Sequence, residues 1–193
     1  MDQCTTAAPP TVLPAEPLSA GAASFTLQFT GYLYAVGLRD AFADLIAHHP
    51  ALRTVYPMPG SSAAPRVLSP TAAVVPRTVP IPVPATELPA AIRAFMTEEA
   101  ETSLSLPVRA KLFRPLADPE DAPQHLLVVI LRREAVAGVP PAQLAHDLMT
   151  AYAARRRNLE PTWEATDPAA RLPVHELRGV RLIDTETVSE WPH

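Results

Sequence analysis

The apolar positions change period along the chain, and each change marks an element. Ser24-Phe25-Thr26-Leu27-Gln28-Phe29-Thr30 alternates, with Phe25, Leu27 and Phe29 on one side, which predicts a half-buried strand. From Leu33 to Ala47 the period lengthens, and Leu38, Ala41, Phe42, Leu45 and Ile46 form the buried stripe of a helix. Leu88, Ala91, Ile92, Phe95 and Met96 repeat that spacing in a second helix, with Thr86 as its expected cap and Glu87 in its first turn. Val108 to Leu116 alternates again. His125 to Leu131 is then an unbroken apolar run, short and rich in β-branched side chains, which reads as a strand covered on both faces. Arg132 to Gly138 is the turn that leaves it, and Val139-Pro140-Pro141 opens a third helix with Leu144, Ala145, Leu148, Met149 and Tyr152 on one face.

Between these elements the breakers set the connections. Pro57 to Pro65 reads as a hairpin-like turn, with Gly60-Ser61-Ser62 at its tip, into a short strand at Arg66-Val67-Leu68. Val74 to Val83 contains Pro76, Pro80 and Pro82, which cannot donate to a central ladder, so it is expected as an edge strand or a polyproline-like connection. Asp118 to Pro123 closes a hairpin onto the long apolar strand. Val174 to Val188 offers one more strand through Leu177, Val180, Leu182 and Ile183, with no place in the sheet assigned. The order of strands and helices predicts an α/β sandwich, with a mixed or mostly antiparallel sheet and helices on one face. Three regions follow: a mobile tail over 1–15, a lobe over 16–157, and a linker with a C-terminal extension, holding at most one added strand, over 158–193.

Composition narrows the function. A chain of 193 residues supports one domain with a real core, and a net charge of -4 with no basic cluster beyond Arg155-Arg156-Arg157 argues against nucleic acid. That arginine run sits at a helix end, where cations meet the dipole favourably. Cys4 is the sole cysteine, which excludes an intrachain disulfide or a thiolate metal site, and no metal or cofactor is expected. No apolar run approaches membrane-spanning length and no leader pattern opens the chain, so a cytoplasmic, membrane-free protein is expected. There are 24 prolines against 6 glycines, so the connections should be stiff. Repeats, phosphate-binding loops, dinucleotide fingerprints and nucleophile elbows are all missing.

Several polar residues invite a chemical reading. His48 and His49 end the first helix and read as solvated or capping histidines, with catalysis as the weaker alternative. His125 reads as a satisfied histidine at a strand end. His146 and Asp147 are adjacent on a helix and point apart, so they form no dyad with each other. Glu98, Glu99 and Glu101 crowd a helix C-terminus and read as a solvated acidic face, with a partner-contact face as the alternative.

The strand, turn and helix from Gln124 to Arg157 resemble the condensation domains of nonribosomal peptide synthetases, where a buried strand leads into the motif HHxxxDG. Three further segments carry the resemblance: Pro17-Leu18-Ser19, the stretch His48-His49-Pro50-Ala51-Leu52-Arg53-Thr54-Val55-Tyr56, similar to R-H-E-x-L-R-T-x-F, and Val108 to Arg114. The resemblance covers the first of the family's two lobes and implies a chloramphenicol-acetyltransferase-like fold. Aligned on Gly138, the family's two histidines fall on Arg132 and Arg133 and its aspartate on Ala137. The second histidine is the one the family associates with attack of the acceptor amine on the donor thioester, and an arginine cannot accept that proton. The helix that follows the opening segment in the family is missing here as well. Arg53, whose family counterpart packs near the motif aspartate, is expected to find Glu134 instead.

These departures imply a lobe without catalytic residues. The resemblance makes it an interaction or recruitment module of peptide or polyketide biosynthesis, whose partners would be synthetase modules, a carrier protein or a tailoring enzyme. The alternative is an acyl or peptidyl transferase component completed by oligomerisation or by a separate second lobe, with Arg132 or Arg133 holding a phosphate or an oxyanion. A third reading is a relic or boundary fragment whose companion lobe is encoded elsewhere. An uncovered sheet edge and the missing lobe also point to a homo-oligomer.

Overall fold

The computed structural model describes residues 22–57, 62–101, 106–116, 121–163 and 180–183, with backbone alone for 98–101 and 180–182. The readings of the N-terminal tail, Pro17-Leu18-Ser19, the tip of the first turn, the three glutamates and most of the C-terminal extension lie outside these described parts.

Five strands form one mixed sheet: β1 (Ala22–Thr30), β4 (Pro80–Pro84), β5 (Val108–Leu116), β6 (Gln124–Arg132) and β7 (Val180–Ile183), in the order β4-β5-β6-β1-β7. β4 runs parallel to β5, and every other pairing is antiparallel. A separate ribbon joins β2 (Thr54–Val55) to β3 (Arg66–Val67). The helices are α1 (Ala35–His48), α2 (Leu88–Glu101) and α3 (Pro141–Arg155).

β6 is central because both of its faces are apolar. Leu127, Val129 and Leu131 join the core under α1 and α3, whereas Leu126, Val128 and Ile130 join a second core with Leu88, Ile92 and Phe95 of α2. Each such fully buried side chain contributes about 1.5–3 kcal/mol. Helices therefore lie on both faces, α1 and α3 on one and α2 on the other, and the expectation of a single helical face is corrected. A strand apolar on both sides cannot set its own register, because a one-residue slip costs it no burial. β1 supplies the missing information. Its odd positions Phe25, Leu27 and Phe29 enter the α1/α3 core, while Ser24, Thr26 and Gln28 face the other way, and Gln28 Nε2 donates to Gln124 Oε1 at 2.8 Å.

The edges behave as the prolines predict: β4 holds Pro80, Pro82 and Pro84 at one edge of the sheet. Thr86 does not cap α2; it lies inside a 3-10 turn over Ala85–Glu87 that leads into the helix. The turn from β1 to α1 needs Gly31, whose φ of 90° is costly for any residue with a Cβ, and its N–H donates to the Pro123 carbonyl at 2.8 Å. Tyr34 then locks the start of α1: its N–H donates to the Tyr152 phenol of α3 at 3.0 Å, and its ring lies against Gly37. A Cβ on Gly37 would stand 2.4 Å from Tyr34 Cδ1. Gly37→Ala is expected to cost about 1–3 kcal/mol by overpacking. In a Tyr34→Ala background the same change should instead be neutral or stabilising by up to about 1 kcal/mol, the helix propensity gain, and urea unfolding of the four chains measures both.

Candidate functional site

The turn that follows β6 is a 3-10 helix over Arg133–Val136, and it packs against a second 3-10 helix over Pro50–Arg53 that leaves α1. Ala135 is the buried anchor of the turn, while Arg133, Ala137 and Gly138 are exposed. Arg132 ends the strand with its N–H on the Pro107 carbonyl. Its side chain is only 10% exposed, lies over the Tyr56 ring at 5.0 Å, and donates from Nε to Glu134 Oε2 at 2.9 Å. That hydrogen bond, with the Glu134 backbone N–H and the charges of Arg132 and Arg133, holds the Glu134 carboxyl below its ordinary range despite partial burial. The Tyr56 phenol moves the other way, raised by burial and by Glu134. The turn thus offers a committed carboxylate, a protonated phenol and two arginines, none of which takes a proton from an amine near neutral pH.

Arg53 and Glu134, expected to pair, do not. Glu134 is taken by Arg132, its neighbour two residues away, and Arg53 donates from Nη1 to the Leu68 carbonyl of the β2–β3 ribbon. Arg53 Nε is buried without a partner among the described residues. Gly138 has a negative φ and open space around its Cβ position, so neither backbone nor packing demands glycine there.

A second polar cluster escaped the reading of the sequence. His49 is the C-cap of α1, as expected, with its N–H on the Leu45 carbonyl, but its side chain is not solvated: Nε2 meets Asp147 Oδ2 at 2.8 Å, and both side chains are 13% exposed. Gln143 Nε2 donates to Asp147 Oδ1 at 2.6 Å; a carboxylate only accepts, so the amide must turn this way, and its Oε1 is left buried without a partner. Burial pushes the Asp147 carboxyl up, but the hydrogen bonds from His49 and Gln143 outweigh it and hold the group below its ordinary range. His48 stacks on Trp163, with centroids 4.2 Å apart and planes at 9°. Arg155 forks onto Asp44 through two hydrogen bonds of 2.6 Å, so the arginine run at the end of α3 begins with a tie to α1. His125 is buried with Nδ1 unpartnered among the described residues, which corrects the expectation of a satisfied strand-end histidine. Partners 98 and 111 residues apart carry no local signal; only the helical phase of His49, Asp147, Asp44 and Arg155 could have hinted at them. No group of three or more histidine, cysteine, aspartate or glutamate side chains able to hold a metal exists among the described residues, and no helix among them is long and apolar enough to cross a membrane.

No protein-family model matches the chain. Over 137 residues it is 36% identical to a segment of the nonribosomal peptide synthetase CymA of Salinispora arenicola, covering 71% of this chain and 2% of that protein. Over 142 residues it is 32% identical to an isonitrile lipopeptide synthase of Mycobacterium tuberculosis, covering 71% of this chain and 5% of that one. Among solved structures, the X-domain of teicoplanin biosynthesis in its complex with OxyB superimposes with a TM-score of 0.59 at 28% identity, over 78% of this chain and 31% of that one. The chain is a condensation-domain-like protein. The starter condensation domain of rhizomide synthetase, at 16% identity and a TM-score of 0.55 over 73% of this chain and 35% of that one, bears out the fold. This condensation-like chain spans about a third of those solved chains and a small fraction of the curated relatives.

The contact between His49 and Asp147 sets an acid dependence with a definite sign. Asp147 has a depressed folded pKa, so its contribution is complete above the ordinary carboxylate range and is lost as pH falls below about 4. His48 is depressed by burial and by His49, and His125 by burial and by Arg114, so their contributions are complete above the ordinary imidazole range and fade as pH falls below about 6.5. Urea unfolding from pH 7 to pH 3 should therefore show stability falling throughout. Asp147→Asn should lose about 1–3 kcal/mol at pH 7 and flatten the segment below pH 4; a parallel, merely offset curve would refute the assignment.

Proposed function

We propose that this condensation-like lobe is non-catalytic and acts as an interaction or recruitment module in nonribosomal peptide or polyketide biosynthesis, in the cytoplasm. Its partners are synthetase modules, a carrier protein or a tailoring enzyme. The observation that carries this reading is the motif turn, where Arg132 and Arg133 stand at the histidine positions and Arg132 is tied down by Glu134 and Tyr56. The X-domain with which the chain superimposes was solved bound to OxyB, which supports a protein-binding role for this architecture. Mixing the chain with each synthetase, carrier and tailoring protein of its own pathway should give a stable complex by light scattering with at least one of them, and no acyl transfer from thioester donors. Failure to bind any of them would end this reading.

One observation favours a second role. Arg133 is exposed, and although its charge acts on Glu134, no hydrogen bond or ion pair with the described residues occupies its guanidinium, which is open to an anion. In the transferase reading, completed by self-association or by a second lobe, Arg133 holds an oxyanion or a phosphate. Transfer would then be measurable and would drop about 100-fold in Arg133→Ala, the scale of a lost oxyanion donor.

A further inference from the structure

The chain has 20 acidic side chains, yet none falls between Asp44 and Glu87, a stretch that holds Arg53, Arg66 and Arg77. In a chain of net charge -4, an acid-free stretch of this kind leaves a local positive field. Two of its arginines come together with the turn after β6. The 3-10 helix over Pro50–Arg53 packs against both that turn and β3, and Tyr56, which follows β2, lies under the Arg132 side chain. These touching elements carry Arg53, Arg66, Arg132 and Arg133 against one carboxylate, Glu134.

The carboxylates nearby are already taken. Glu134 accepts from Arg132 at 2.9 Å, Asp147 meets His49 at 2.8 Å and accepts from Gln143, and Asp44 is forked by Arg155. α2, which carries Glu98, Glu99 and Glu101, lies over the opposite face of the sheet. Arg66 and Arg133 are exposed, and no hydrogen bond or ion pair with the described residues occupies either guanidinium. Arg53 donates to the Leu68 carbonyl, and its Nε is buried without a partner among the described residues. Among those residues, the positive charge of this surface has no counterpart.

We infer that the surface formed by Pro50–Arg53, the β2–β3 ribbon and the turn after β6 docks an acidic segment of a partner protein, with Arg66 and Arg133 taking its carboxylates and Arg53 adding its charge. A guanidinium fork matches a carboxylate two hydrogen bonds at a time, which suits Asp and Glu side chains. The phosphates of a nucleic acid fit the same forks, but their charge continues past the surface and meets a chain that is negative overall. A short acidic segment ends where the arginines end. The inference rests on the recruitment reading and names the chemistry that the recruited partner presents.

The probe is a short fluorescein-labelled oligoglutamate, titrated against the full chain by anisotropy at low salt. It should bind, and weaken as salt is raised. Arg66→Glu and Arg133→Glu together should weaken it about 10-fold or more, since each change removes an ion pair and adds a repulsion. Arg156→Glu with Arg157→Glu, the same charge change at the end of α3, should leave binding unchanged, with circular dichroism checking that both variants fold. No binding by the parent, an equal loss in the two variants, or tighter binding of a single-stranded oligonucleotide of the same charge overturns the inference. Light scattering with the pathway proteins separates it from recruitment as such. A complex that the first variant loses supports the inference. One that this variant keeps overturns the acidic partner and leaves recruitment standing, whereas the lack of any complex with the parent ends recruitment and the acidic partner with it.

Discussion

Everything in this lobe depends on β6 being apolar on both faces. A strand of that kind must be covered twice, so the chain builds two cores from one sheet, with α1 and α3 over Leu127, Val129 and Leu131 and α2 over Leu126, Val128 and Ile130. The arrangement also assigns a role to β1. Because β6 accepts either register equally, discrimination falls to the partner strand, whose apolar and polar sides differ. Gln28 and Gln124 reinforce the choice with a hydrogen bond at the end of the ladder.

The two helices of the larger core are fastened by charge as well as by packing. Arg155 with Asp44 and His49 with Asp147 both join α3 to the end of α1, and the Tyr152 phenol receives the Tyr34 N–H at the start of that helix. Partly buried pairs of this kind add little net stability over well-packed apolar residues, but breaking one by removing a single partner is costly, since the other group stays desolvated.

What could be read from the sequence follows the range over which each signal acts. The stripe Leu38, Ala41, Phe42, Leu45 and Ile46, the alternation at Phe25, Leu27 and Phe29, and the proline pattern of β4 are local, and the structure uses all of them as written. The single helical face was misjudged because periodicity shows that β6 is covered twice without saying by what. At His49 the sequence marks the helix end, which the structure keeps as the C-cap of α1, but not the partner of its side chain, which lies 98 residues away. The Arg53–Glu134 pairing failed because Arg132 is nearer to that carboxylate by sequence and by fold, an advantage that alignment to a motif does not register.

The same geometry explains how this condensation-like fold accommodates Arg132 and Arg133 in the turn after β6. The turn is attached to the core through Ala135, whereas Arg133, Ala137 and Gly138 face outward and support nothing beneath them. Substituting those positions costs the fold almost nothing, because surface changes away from packing and caps rarely exceed about 0.5 kcal/mol. Arg132 is the charged residue of this stretch that is drawn inward, and there the charge is balanced on the spot by Glu134 and shielded by the Tyr56 ring. What meets this turn from outside can therefore differ without disturbing the strand behind it, which is held by the two cores. Chemistry and fold are separable at this point of the chain, and the turn records the one without disturbing the other.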